Sequence, residues 1–431
     1  MSTLITNIGE LMTQDREHQV RRQAAVVIEG ERISWIGDAA AAPAADTVVD
    51  AQGRAVLPGW VDSHSHLVFA GDRTAEFEAR MAGQSYAAGG IAVTTGATRQ
   101  ASDDELRRLL AARVAEAVAG GTTYLETKTG YGLDVHNEAR SARIAAEYVD
   151  QVTYLGAHLV PAGVDPEDYV RLVCGPMLDA VRGQVQWADV FCERGAFTED
   201  QSRRVLQACR DAGLGLRVHG NQLGPGPGVR LAVELGAASV DHVNYLDDDD
   251  VAALAGSWSG WDPATGTGRR GTVATCLPAC DLSTRQPLAP GRRLLDAGTQ
   301  IALASNCNPG TSYTSSMNFC VTTAVLQMGL SVQQAVRAAT YGGALALGVE
   351  QGQDRDGHRA VGSIEVGHRA DLHVLDAPSA THLAYRPGMP LTHAVWRGGE
   401  RAINRHRSAG TACIRPEGWV EYKGAADGRC A

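Results

Sequence analysis

The chain has 431 residues, 44% apolar and 20% charged, with a formal net charge of −10; that length suits one large domain and a smaller one, each with its own core. An acidic balance without any long basic run makes nucleic acid and anionic membrane poor partners, and no stretch approaches the roughly 18 apolar residues that span a bilayer. With no secretory signal at the N-terminus and nine scattered cysteines lacking a C-x-x-C pair, the expectation is a cytoplasmic protein with reduced thiols.

In chain order, residues 1–56 read as short alternating segments such as "AAVVIEGERISWIG" separated by turn residues, the pattern of a small β unit. "GSIEVGHRADLHVLDAP" and "LTHAVWRGGERAI", near the other end, have the same character. The expected organisation is a small β-sandwich domain built from 1–56 together with 363–431, flanking a central domain of 57–362.

The centre alternates short apolar strands with segments of helical period, the pattern of parallel βα units. Strands are expected near 60–66, 122–128, 152–158, 188–192, 214–219, 238–243, 272–278 and 301–305. The segment after Ser102 places Leu106, Leu109, Leu110, Val114, Ala117 and Val118 on one helical face, and Ser102 with Glu105 suggests a capping box, as do Thr198 and Gln201. Eight strands separated mostly by helices predict an α/β fold of the (β/α)8 barrel type. An open doubly wound sheet fits less well, because no G-x-G-x-x-G follows an early strand.

Barrels of this type carry their chemistry at the C-terminal ends of the strands. Read there, the sequence offers His64 and His66 after the first strand, Lys128, Gly130 and Tyr131 after the second, and His158 after the third. His219 ends the fifth, Asp241 and His242 the sixth, and Asn306 the eighth. Imidazole is the commonest protein ligand for zinc or iron, and an H-x-H pair with a third histidine leaves a coordination position open for water. His64, His66 and His219 are thus the candidate metal ligands.

"LPGWVDSHSHLVFAGDR" resembles the opening metal motif of the amidohydrolase superfamily, and more narrowly that of the imidazolonepropionase family. "TKTGYGLD", "LGAHLVP", "HGNQL" and "NCNPGTS" follow in that family's order and spacing, so the resemblance covers almost the whole chain. It implies one divalent ion, Zn or Fe, on His64, His66 and His219, with Asn306 where the family has an Asp that binds the metal and handles the catalytic proton. It also implies that Arg73, Tyr131 and His158 hold a small carboxylated heterocyclic substrate, that His158 steadies its carbonyl, and that Asn308, Gly310 and Thr311 form the loop at the reacting end. Gln222 matches a position taken by Glu or Gln, and His242 would orient the attacking water. The implied reaction is hydrolysis of 4-imidazolone-5-propanoate to N-formimino-L-glutamate in histidine degradation, by a homodimer. The alternatives are a divergent amidohydrolase acting on another small nitrogen heterocycle, and a catalytically impaired metal- or ligand-binding relative.

Asn306 departs from that pattern. An amide donates and ligates weakly, but it does not accept and return a proton near neutral pH. The residues after His219 are uncharged. By strand position the nearest ionisable replacements are Glu193 and Asp241, and Asp241 is expected to point away from His242's side of the strand. That makes Glu193 the better candidate.

Overall fold

Eight short parallel strands pair in chain order into one sheet: Trp60–Asp62, Thr122–Lys128, Gln151–Ala157, Trp187–Cys192, Gly215–Gly220, Ser239–His242, Val273–Cys276 and Ile301–Leu303. The structure is a computed structural model that describes residues 1–404 apart from 18, 84–89, 263–264, 354–356 and 358; residues 405–431, the end of the expected β-domain segment, lie outside the described residues. Nearly every strand position is buried, as expected of strands covered on both faces. Helices from the intervening segments cover the outside, giving the (β/α)8 barrel that the periodicity predicts.

Several strands stop earlier than their sequence suggests, and at two of them the early end shapes the site. The first ends at Asp62 rather than 66, and the eighth at Leu303 rather than 305. Beyond those points the backbone closes the seam between first and last strands: Asn306 N–H donates to the His64 carbonyl and His66 N–H to the Cys307 carbonyl, each at 2.9 Å. Asp62 clasps the same seam by accepting from the Ser305 N–H (3.0 Å) and hydroxyl. The segments carrying His64, His66 and Asn306 are therefore cross-linked irregular chain, not ladder. Their rings are not stacked side by side as an extended H-x-H would place them, since the His64 and His66 planes are tilted by 65°.

The helix Asp103–Ala119 buries Leu106, Leu110, Val114, Ala117 and Val118, with Leu109 half-buried. Ser102 caps it through the Glu105 N–H, and Thr198 with Gln201 forms the full reciprocal box on Glu199–Asp211. Arg113 shares the buried face because both the Leu67 and Phe69 carbonyls accept from it at 2.8 Å and its guanidinium lies over the Phe69 ring.

Two further sheets sit outside the barrel. One runs Arg32–Asp38, Ala24–Glu29, Ser2–Ile8, Thr47–Asp50; the other runs Glu400–Asn404, Thr392–Arg397, Leu372–Leu375, Ala55–Pro58, Glu10–Met12, Val20–Arg21 and so combines both chain ends. Ile5, Ile8, Val26 and Ile28 from the first share one apolar core with Leu11, Val56, Leu372, Val374 and Trp396 from the second. The strand Ala55–Pro58 runs across the expected boundary between residues 56 and 57. The seven described cysteines are free thiols, and no described helix is long and apolar enough to cross a membrane.

Candidate metal centre and active site

Four histidines meet at the C-terminal end of the barrel. Ligating nitrogens of His64, His219 and His242 lie within 4.8 Å of one another, and His66 Nε2 is 3.3 Å from His64 Nε2. His64 Nδ1 faces Asp241 Oδ2 at 2.7 Å, so Nδ1 carries the ring proton and Nε2 presents a lone pair. His219 Nδ1 lies 3.0 Å from Asp189 Oδ1, which also accepts the His219 backbone N–H at 3.1 Å. His219 Nε2 and Asn306 Oδ1 are buried without a hydrogen-bond partner. Two nitrogens sharing a tetrahedral ion at about 2.0–2.1 Å would be about 3.3–3.4 Å apart. The His64–His66 separation and the orphaned donors beside it thus fit a divalent ion.

Burial keeps the His64, His66 and His242 rings neutral. It pulls His64 down to about 3, with the nearby Lys128 charge adding to the effect, and holds His66 and His242 well below the ordinary histidine range. Neutral imidazole is the ligating form.

Beneath the histidines the barrel interior holds a layer of charge. Lys128 Nζ bridges Glu126 Oε1 and Asp189 Oδ2, at 3.0 Å each, with all three side chains fully buried. Arg217 Nη2 stands 3.2 Å from Asp241 Oδ2. Two of the four imidazoles are thereby backed by a carboxylate and then a cation: Lys128–Asp189–His219 and Arg217–Asp241–His64. Burial alone would raise Asp189 and Asp241, but His219 and Lys128 hold the first below the usual carboxylate range, and Arg217 and His64 do the same for the second.

Asp241 Oδ2 is engaged by His64 and Arg217, while the His242 imidazole, carried on left-handed backbone at His242 and Val243 (φ 85° and 51°), lines the cavity. The other lining side chains are His66, Arg73, Ile91, Tyr131, His158, Phe191, His219, Gln222, Asn306, Asn308 and Thr311. No carboxylate is among these described lining residues. Glu193 in particular is turned elsewhere, its carboxylate accepting the Gln222 N–H, and it does not reach the cavity as a replacement base.

The walls are built by local hydrogen bonding. Glu138, fully buried, accepts from the N–H groups of Gly130 (3.1 Å), Gly132 (2.7 Å) and Leu133 (2.9 Å), folding the turn that presents Tyr131. All three reach Oε1, and the Gly130 N–H also reaches Oε2 at 3.1 Å, where the amide nitrogen of a Gln would confront it donor to donor. Glu138→Gln is expected to lower stability by about 1–3 kcal/mol, the penalty of a buried N–H left unpaired, as measured by urea unfolding.

His158 Nδ1 donates to the Gly130 carbonyl at 2.9 Å, and burial lowers the ring to about 4. Its Nε2 is therefore an acceptor, suited to a ring N–H and not to the carbonyl that the sequence comparison suggested.

Asn308 also differs from expectation. Its oxygen accepts from the Gly310 and Thr311 N–H groups, and its nitrogen donates to the Asn306 carbonyl and to Thr311 Oγ1 (2.7–2.9 Å), which exhausts its hydrogen-bonding capacity inside the loop. Arg73 is buried with Nε and Nη2 bidentate on Glu76 at 2.8 and 2.6 Å. Gly310 has no room for a Cβ, which would strike that guanidinium, and its carbonyl accepts from Arg80 at 3.0 Å.

This geometry can be set beside known proteins. The amidohydrolase family model matches residues 55–402. Imidazolonepropionase of Paenarthrobacter aurescens (strain TC1) is 81% identical over 402 residues, covering 93% of this chain and 98% of that one. The chain belongs to the imidazolonepropionase family of amidohydrolases. A second imidazolonepropionase, from Micrococcus luteus, is 69% identical over 93% of this chain and 100% of its own length. Among solved structures, atrazine chlorohydrolase TrzN from Arthrobacter aurescens TC1 complexed with zinc aligns with TM-score 0.67 and 18% identity over 93% of this chain and 95% of that one. An adenosine deaminase from Xanthomonas campestris with bound zinc aligns with the same score and identity over 93% and 92%. At that identity the likeness shows the fold alone.

For an imidazolonepropionase-family chain, the residues that sequence inspection missed are mostly the supporting ones: Glu126, Asp189, Arg217, Glu138 and Glu76. The first three had a visible signal. Each is a charge within a barrel strand, where charged side chains are almost never buried unless paired.

Proposed function

We propose that this protein hydrolyses the ring C–N bond of 4-imidazolone-5-propanoate to give N-formimino-L-glutamate, using one divalent ion, zinc or iron, held by His64, His66, His219 and the amide oxygen of Asn306. The observation that carries the proposal is the cavity itself, which puts orphaned metal donors on its floor and the Arg73 guanidinium on its wall. The bound ion would supply the Lewis acidity that activates water near neutral pH.

The rest falls to the chain's own groups. With Nε and Nη2 occupied by Glu76, Arg73 offers its remaining N–H edge to the substrate carboxylate. Tyr131 flanks the substrate ring, and His158 Nε2 accepts a ring N–H. The asparagine-knit loop carries Gly310 and Thr311 against the reacting end, and Gln222 lines it opposite. His242, whose Nδ1 is buried and unpartnered, takes a proton from water and delivers it to the departing nitrogen. We read the protein as cytoplasmic, in keeping with its free thiols, with no nucleic-acid or membrane partner, and as a homodimer. Phe319 and Leu326, exposed on one face of Met317–Gln327, supply an apolar surface for the latter.

The test is to load metal-free protein with zinc or iron, add 4-imidazolone-5-propanoate and follow formiminoglutamate. Turnover should track metal content, disappear with a chelator and return on reloading. Fully loaded protein that yields no product, or that hydrolyses a substrate lacking the carboxylate equally well, would overturn the assignment. Because Glu76 only positions Arg73, Glu76→Gln should raise KM about tenfold, the equivalent of one charge-assisted hydrogen bond, with kcat nearly unchanged in steady-state assays. Glu76→Asp should recover part of that loss.

A further inference from the structure

Behind His242 lies a second convergence of metal-binding donors, in which His242 is joined by two side chains that hydrolysis does not use. A ring nitrogen of His242, the Cys280 thiol and a carboxylate oxygen of Asp281 lie within 4.8 Å of one another, and all three residues are buried. His242 Nδ1 has no hydrogen-bond partner. Asp281 is 1% exposed, and the groups that stabilise its charge are neutral: the Ala289 N–H at 3.3 Å and the Asn244 side chain. A carboxylate buried without a counter-charge is an unfavourable arrangement that a cation relieves, and burial has pushed this one up to about 7. The thiol lies directly behind the active-site wall: Gln222 Nε2 donates to Cys280 Sγ at 3.7 Å, and the side chains of Thr311, Asn306 and Thr284 hydrogen-bond to it, the first two also lining the cavity.

We propose that His242, Cys280 and Asp281 form a second cation site, reached through the active-site cavity and selective for soft divalent ions such as cadmium or excess zinc, whose filling inhibits hydrolysis by capturing His242. Imidazole, thiolate and carboxylate together form a donor set for borderline and soft ions, and their ligand atoms already lie within 4.8 Å of one another. Binding forms metal–nitrogen, metal–sulfur and metal–oxygen bonds, releases the thiol proton to solvent together with any proton on Asp281, and changes no oxidation state. The thiolate and carboxylate then balance the ion's two charges. Its donors are separate from His64, His66 and His219. The binding claim stands independently of the assigned reaction; only the inhibition claim rests on the role given to His242.

The experiment starts from protein already holding one zinc per chain and titrates it with cadmium chloride. Ultraviolet thiolate-to-cadmium absorption and the metal count after desalting are followed together with formiminoglutamate release. The expected result is one added cadmium per chain with retained zinc, an absorption band that saturates with it, and hydrolysis falling in step. Cys280→Ser should lose the band and the added equivalent while keeping the first ion and hydrolysis. Asp281→Asn should keep the band but shift its midpoint to higher cadmium. The proposal is overturned if no band appears, if the band survives Cys280→Ser, or if cadmium merely displaces zinc mole for mole. Cadmium that binds as described without slowing hydrolysis would overturn the inhibitory role.

Discussion

Asn306→Asp is expected to raise kcat, with about 10²–10⁴-fold as the ceiling because that is the usual contribution of a positioned general base. The cavity is lined by imidazoles, amides, a guanidinium and a phenol, and no carboxylate is among its described lining residues. The proton thus falls to His242, whose ring burial holds well below the ordinary histidine range, and so weak a base is a poor acceptor at neutral pH. An Asp at 306 would inherit a prepared position. The Asn306 side-chain oxygen is already buried and unpartnered, its N–H is tied to the His64 carbonyl, and its φ of 49° is a conformation that Asn and Asp both tolerate. KM should change little, because Arg73, Tyr131 and His158 are untouched. The comparison needs equal metal content in both proteins, since a carboxylate also tightens the ion. If kcat at matched occupancy is unchanged, the amide is no handicap and the catalytic proton does not pass through position 306.

How far the sequence reveals this site depends on the range of the interactions concerned. The barrel strands are legible because apolar runs and helical periods are local, and the histidines stand out because they fall at the ends of those runs. What each histidine leans on is not local. His64 and Asp241 are 177 positions apart, and only barrel closure makes them neighbours. The early end of the first strand is hidden for the same reason, since the hydrogen bonds that replace the ladder come from residues 305–307. Asn308 and Glu193 resemble active-site groups in one dimension, yet the structure engages both with nearby backbone N–H groups. The two-ended β sandwich is visible as a shared alternating character, while the pairing of Ala55–Pro58 with Leu372–Leu375 is beyond any local pattern.

Lys128→Met is expected to destabilise the fold by about 3–5 kcal/mol, the usual consequence of removing one partner from a buried ion pair. The methionine fills similar space, so the loss is electrostatic. Two fully buried carboxylates, Glu126 and Asp189, would remain with their shared ammonium gone. The damage should reach the metal centre by two routes. Glu126 accepts the Ser65 N–H at 3.1 Å, fixing the residue between His64 and His66, and Asp189 backs His219. Unfolding should therefore shift in urea and metal retention should weaken together. Because folded proteins hold only about 5–15 kcal/mol in reserve, the single variant is best read beside Lys128→Met with Glu126→Gln. Neutralising one stranded carboxylate should restore much of the stability, giving a coupling energy well above the 0.3–0.5 kcal/mol that independent sites show. Additive losses instead would mean that the lysine is a packing element and that the histidines are held by the rest of the barrel.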